Sequence, residues 1–254
     1  MASYDWKDIV DRLNAKLHLM AAPVGMKWVR TEDELNAIPK IRIQKNRFAP
    51  CVAVGQAVQF GWTTACKKEN VHMDYCRGIH GMFERDEKWY SAGFFAHVWQ
   101  DDEAGAMAHH RALNCVPAEY VAIAVSPLSA GRIEAPDVCV LHMSSAQAFM
   151  LLAGYQYTGY QQLDFTFSGE STCSDSWTRT FLTGKPSVAL PSFADRKFGA
   201  CGEWELRVTM TPEDLVKALD GVEALSKNGL RYPIASYSLT TDMMAGLPPQ
   251  YSGY

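Results

Sequence analysis

The chain contains no CxxC pair, no long apolar run and no surplus of basic charge. Each absence narrows what it can be. Without closely paired cysteines, a zinc ribbon or knuckle is not expected. No stretch approaches eighteen uninterrupted apolar residues, so no membrane span is predicted. Lys and Arg number 24 against 28 Asp and Glu, a net charge of −4. That balance gives no basic face for nucleic acid. The opening MASYDWKDIVDRL carries acids where a secretory leader needs a basic region, and it lacks a long apolar core. A cytoplasmic protein is therefore expected. There the seven cysteines, an odd number, would be thiols or metal ligands and not a disulfide framework. No repeat of fixed period is visible.

What is present centres on Arg47 to Gly81, RFAPCVAVGQAVQFGWTTACKKENVHMDYCRGIHG. Cys51, Cys66 and Cys76 lie here with His72 and His80. Fourteen residues separate the first two cysteines and nine the next two, so only the fold can assemble them. Their flanks are Gly, Pro, Lys and Arg, which favours thiols near turns and positive charge. Cys139, inside the run Asp137-Val-Cys-Val-Leu, reads as a small core hydrophobe. Pro50 suits a first helical turn, and Cys51 would then sit at a helix start, where the dipole favours the thiolate.

Periodicity predicts the remaining elements. Trp6, Ile9, Val10, Leu13 and Leu17 recur at helical spacing. Val24 to Val29 is a short strand, and Thr31 caps a helical turn. Cys51 to Phe60 is a helix ended by Gly61, Trp62 to Asn70 a polar connection, and His72 to Phe83 partly helical. Glu84 to Lys88 is a solvated turn, Trp89 to Trp99 a strand or irregular wall, and Asp101 to Ala112 a helix. Tyr120 to Val125 and Asp137 to His142 are apolar runs typical of strands covered on both faces. Ser144 to Tyr155 is a helix ended by Gly154, and Leu163 to Phe167 a strand. Gly169 to Gly184 is a loop and helix, Ser187 to Leu190 and Trp204 to Met210 are strands, and Thr211 caps a helix stopping near Gly229. The expected architecture is α/β or α+β, a mixed sheet flanked by helices. Residues 1–230 form one domain with a weak boundary near 126–136. Residues 231–254, with Tyr232, Tyr237, Tyr251 and Tyr254, form an arm over the body or over a partner, which points to a homodimer.

Two later clusters carry further chemistry. Ser168-Gly-Glu-Ser-Thr-Cys173 places a thiol and Glu170 at a helix start, where a simple cap is the plainer reading. Ala194-Asp-Arg-Lys-Phe-Gly-Ala-Cys201-Gly-Glu offers Arg196 for a carboxylate ligand or for a structural ion pair.

The segments PDVCVLHMSSAQAFMLLAGYQY, FTFSGESTCS, LTGKPSVALPSFADRKFG and PVGMKW, with Cys51 and Cys76, resemble the domain of unknown function 169 family of archaea and anaerobic bacteria. The resemblance reaches to about Ala224 and points to Cys51, Cys76, Cys173 and Arg196. Cys66, Cys115 and Cys201 stand outside it. Three separated cysteines in a family of anaerobes imply an iron–sulfur cluster, of the 4Fe–4S type, held by Cys51, Cys76 and Cys173. One iron would remain open to substrate. His72, His80, His97 and His142 are candidate fourth ligands or acid–base groups, each equally readable as structural. Tyr75, Asp74 and Glu170 are candidate proton carriers, and the ordinary role of such neighbours is to orient ligands.

The expected function is an iron–sulfur lyase, hydratase or reductive enzyme acting on a small organic molecule. An aromatic substrate would suit the many bulky side chains, and His72, Glu170 and Arg196 are the catalytic candidates. The alternatives are a metal-free enzyme with Cys51 or Cys173 as nucleophile and His72 or His142 as base, and a non-catalytic metal-binding accessory protein.

Overall fold

The periods read from the sequence become helices and strands because each has a cap or a breaker where it must stop. The structure, a computed structural model, describes residues 4–91, 95–236 and 242–251. In chain order it comprises α1 (Trp6–Leu17), β1 (Val24–Val29), α2 (Glu32–Asn36), β2 (Arg42–Ile43), α3 (Pro50–Phe60), β3 (Thr64–Lys67), α4 (Asp74–Ile79), α5 (Glu87–Ser91) and α6 (Glu103–Ala112). Then follow β4 (Ala122–Pro127), β5 (Val138–Ser144), α7 (Ser145–Tyr157), a π-helical turn (Ser174–Thr178) running into α8 (Arg179–Thr183), β6 (Ser187–Ala189), α9 (Phe193–Phe198), β7 (Glu205–Met210) and α10 (Pro212–Lys227).

The strands form one open seven-stranded sheet of order β2-β3-β4-β1-β5-β7-β6. The β2–β3 pair is parallel and the other neighbours are antiparallel. This is the mixed sheet with flanking helices that the alternating elements predicted. β1 lies between β4 and β5, pairing with strands on either side of the 126–136 segment. Among the described residues, no helix is long and apolar enough to cross a membrane.

The period of two along β5 divides the interior. Cys139, Leu141 and Met143 join Val208 and Met210 of β7 against α1, α7 and α10. Val138 and Val140 join Val24, Met26, Trp28, Ile123 and Val125 against α3 and Trp177. On the first face, α1 buries the five apolar residues picked out by helical spacing. Ser144 and Gln147 form a reciprocal cap on α7, and the Gln147 amide also donates to the carbonyls of Leu17 and His18 at the end of α1.

Several expectations are corrected. Gly154 does not end α7, which runs on to Tyr157. It lies where α7 crosses α10, and a Cβ on Gly221 would come within 1.9 Å of the Gly154 carbonyl oxygen. The polar stretch after Gly61 contains a buried strand, β3, whose entry is satisfied by a Thr63–Ser126 hydroxyl contact of 2.8 Å. Leu163 to Phe167 is not a strand. That segment is tied instead by Asp175, which accepts from Thr166 Oγ1 and from the amide and hydroxyl of Ser168. Of the two readings of Trp89 to Trp99, the strand is not seen among the described residues and the irregular wall is, since Trp89 belongs to α5 and Phe95, Val98 and Trp99, in turns, line a cavity.

The described residues of the arm lie against its own body. Pro233, Ile234, Leu247 and Tyr251 line a groove with Phe149 and Met150 of α7 and Leu225 of α10. Tyr232 packs on the first core and meets the His18 ring edge-on. Tyr237 and Tyr254 lie outside the described residues.

Candidate functional site

Three cysteines far apart in sequence meet at one cavity because the three helical segments that carry them pack on the second side of the sheet. Cys51 occupies the first turn of α3, behind Pro50. Cys76 is in the middle of α4. Cys173 immediately precedes the π-helical turn, a distortion that is frequent at functional sites. Two close approaches set their positions. α3 touches the end of α9 so tightly that a Cβ on Gly55 would lie 2.8 Å from the Gly199 carbonyl oxygen. In α4, a Cβ on Gly78 would collide with the indole of Trp89.

The cavity has a volume of about 310 Å³, and Cys51, Cys76 and Cys173 all line it. Among the described residues, the group of three potential metal ligands whose donor atoms lie within 4.8 Å of one another is His142, Cys201 and Glu205. The three cavity thiols are therefore more widely spread. A single tetrahedral ion with bonds of about 2.3 Å needs sulfurs only about 3.8 Å apart.

Burial pushes up all three thiols, that of Cys76 to about 12. The negative charge of Asp195 adds to the effect at each. This corrects the expectation that a helix end and basic neighbours would favour the Cys51 thiolate. Desolvation outweighs the dipole, and the charge that faces these thiols is a carboxylate.

Behind the cavity lies a polar network that the sequence reading did not find. Arg207 is fully buried and its Nη2 donates to Asp195 Oδ1 at 2.6 Å. Its Nε donates to His142 Nε2 at 3.3 Å, and its guanidinium lies 4.4 Å from the centre of the Trp177 ring. Burial works to raise the Asp195 carboxyl. The charge and hydrogen bond of Arg207, with a hydrogen bond from Ser192, overcome it and hold Asp195 below the ordinary carboxylate value. Burial, with Arg207 nearby, pushes the His142 imidazole down to about 3. A usable signal existed in the strand pattern, since Arg207 and Thr209 alternate with the core residues Val208 and Met210 of β7.

His80 is the one histidine in the cavity wall. Its Nδ1 donates to the Cys76 carbonyl at 2.7 Å, and its Nε2 accepts from Trp177 Nε1 at 2.9 Å. Burial lowers it to about 4, so it is a neutral ring with both nitrogens engaged. Tyr75 also lines the cavity, and its hydroxyl donates to the Glu170 carbonyl at 3.1 Å. The Glu170 carboxylate accepts from the amides of Phe193 and Ala194 and so caps α9.

The other candidates lie elsewhere. His72 is exposed, contacts Arg47 at 3.3 Å and is not part of the cavity wall. Arg196 donates to the Gly202 carbonyl at 2.5 Å and is likewise outside the wall. The structural ion pair with a carboxylate, one of the two roles expected of Arg196, is made by Arg207 instead. Asp74 pairs with Arg77 at the surface, and His97 is exposed in a turn with φ of 61°. His109 and His110 end α6 as expected, yet both are buried beside Tyr75 and Phe95. Cys66 and Cys139 are core residues.

Fold and site together define an open-sheet α/β protein with a cysteine-lined apolar cavity on one face. The family model for the domain of unknown function 169, described as uncharacterised ArCR, matches residues 12–221, and the chain belongs to that family. No curated protein and no solved structure matches it.

Proposed function

We propose that this protein is an iron–sulfur enzyme that transforms a small organic molecule in the cavity between α3, α4 and the π-helical turn. The reading is carried by one observation, the convergence of Cys51, Cys76 and Cys173 on that space from three separate elements. The donor set fits such a group. Three soft ligands, spread more widely than a single ion needs, suit a 4Fe–4S cluster with one iron left open. Buried thiols that would otherwise stay protonated ionise when they coordinate a metal. When bound, the cluster supplies a Lewis-acidic iron, or an electron, for lyase, hydratase or reductive chemistry.

The protein's own groups shape the site. Trp177 and Phe95 are buried in the cavity wall, and Tyr75 lines it with its hydroxyl held by the Glu170 carbonyl. Asp195, held ionised by Arg207, sets a fixed negative charge at its edge. Glu170 holds α9 in place through its carboxylate and is a positioning residue.

A metal-free cysteine enzyme is disfavoured because burial opposes all three thiolates and His80, the histidine beside them, has no free nitrogen. We place the enzyme in the cytoplasm without a nucleic-acid partner, on its acidic balance, and as a homodimer, although the described part of the tyrosine-rich arm packs on its own chain. Light scattering at the mass of one chain would remove the dimer.

Anaerobic purification with iron and sulfide assay tests the main reading. A brown protein with close to stoichiometric iron and sulfide is expected. A colourless protein whose three cavity thiols all react freely with an alkylating probe after unfolding, and which takes up no iron on reconstitution, would overturn it.

A further inference from the structure

The charge pattern of the cavity carries information that the thiols do not use. Among the described residues its wall holds two carboxylates, Asp195 and Glu170, and no lysine or arginine. Both carboxylates are already satisfied. Asp195 accepts from Arg207 and Ser192, and Glu170 accepts from two backbone amides of α9. Arg207 has no exposed surface and is not part of the wall, so Asp195 and not the guanidinium meets the cavity. His80 offers an entering group no free donor, since both of its ring nitrogens are engaged within the protein. The rest of the wall is chiefly apolar, with the rings of Phe95, Trp99, Trp177, Phe193 and Phe198.

We infer that this cavity takes a neutral aromatic ring and rejects carboxylates and other organic anions. The inference names the substrate class of the site proposed above and rests on that reading for the reaction alone. Size permits it, since an apolar cavity of about 150 Å³ already holds benzene and this one measures about 310 Å³, a space the ring would share with a group held by the three thiols. An anion entering the space would shed its hydration with no cation in the described wall to replace it, Lys197 lying exposed against the Phe193 and Phe198 rings and not in the wall itself. A permanent cation would gain something from the ring faces. However, the charge of Asp195 is balanced by Arg207 and that of Glu170 is spread over amide donors, so its lost hydration would not be replaced. A neutral ring sheds little hydration and stacks on the side chains already there.

Calorimetric titration of the full chain, isolated without oxygen and held at pH 7, tests this with phenol, benzoate and benzyltrimethylammonium. Phenol should bind at least tenfold tighter than either ion. Val98 is an exposed residue on the cavity wall, so Val98→Arg adds a guanidinium at the mouth without disturbing the core. Benzoate should then bind at least tenfold tighter than it does to the parent. Equal or tighter binding of benzoate or the ammonium to the parent overturns the inference, and so does binding of none of the three. Iron and sulfide measured on the same sample separate the two readings. An iron-free protein that selects phenol removes the cluster and keeps the ligand class, whereas an iron-loaded protein that prefers benzoate does the reverse.

Discussion

The two faces of the central sheet use the same strands and close on different things. On one face, Cys139, Leu141 and Met143 of β5 meet α1, α7 and α10 in continuous apolar packing. α7 and α10 approach so closely that neither Gly154 nor Gly221 has room for a Cβ. On the other face, the next residues along β5 meet α3 and Trp177, and the helices beyond them enclose a cavity backed by Asp195, Arg207 and His142. Cys139 and Cys76 are both pushed up by burial. Burial and a raised thiol pKa therefore do not tell a cavity thiol from a core one. What separates these two is whether other sulfurs converge on the same space.

The widest gap between the faces should appear in Cys76→Ala and Cys139→Ala. The first is expected to lose iron and the visible chromophore altogether, and the second to keep both. Visible spectra and iron content of the anaerobically purified variants check this. An unchanged spectrum in Cys76→Ala would erase the distinction.

Next in size is the polar backing of the site. Asp195→Ala strands the buried Arg207 guanidinium and should cost about 3–5 kcal/mol in chemical denaturation. Asp195→Leu combined with Arg207→Met should cost less than the single change, because no charge is left unpaired. On the packed face, Gly221→Ala drives a methyl against the Gly154 carbonyl and should cost on the order of 3 kcal/mol, the upper range for overpacking. Iron content should stay at the parent level in that variant. Loss of iron without loss of stability there would mean that the two faces are not independent.

The smallest expected difference is in pH dependence. His80 and His142, both on the site face, are lowered by burial from 6.5 to about 4 and about 3. Above pH 6.5 neither state binds their protons. As pH falls below 6.5 the unfolded chain takes up protons that the folded chain refuses, so stability falls until the folded-state values are reached. The slope should be on the order of 1 kcal/mol per pH unit for each histidine. Denaturation midpoints between pH 7.5 and pH 5 measure it, and His80→Gln should flatten it. An identical slope in that variant would show that His80 is not buried neutral.

Local chemistry was readable wherever a residue's role depends on its chain neighbours. The five-residue apolar stripe of α1, the caps at Thr31 and Thr211, the helix start at Pro50 and the left-handed Gly61 that ends α3 all follow from short-range geometry. The core role of Cys139 followed from its aliphatic flanks. The strand β3 is hidden in the sequence by Thr63 and Thr64, whose hydroxyls find partners inside the fold, Ser126 on β4 and Gln56 on α3. Arg196 was preferred to Arg207 because it sits in a glycine-rich loop, whereas the buried pairing was hidden inside a strand.

Sequence alone determined the helical and strand periods, the turns, the mixed α/β class and the short roll of cysteines able to act together. Only the tertiary structure decided which of them share a space, that an aspartate and not a lysine or arginine faces them, and that His72 and Arg196 lie outside the cavity wall. The reason is physical. Secondary structure answers to side chains within a few residues, while desolvation, charge pairing and ligand convergence are set by groups that the chain brings together across more than a hundred positions.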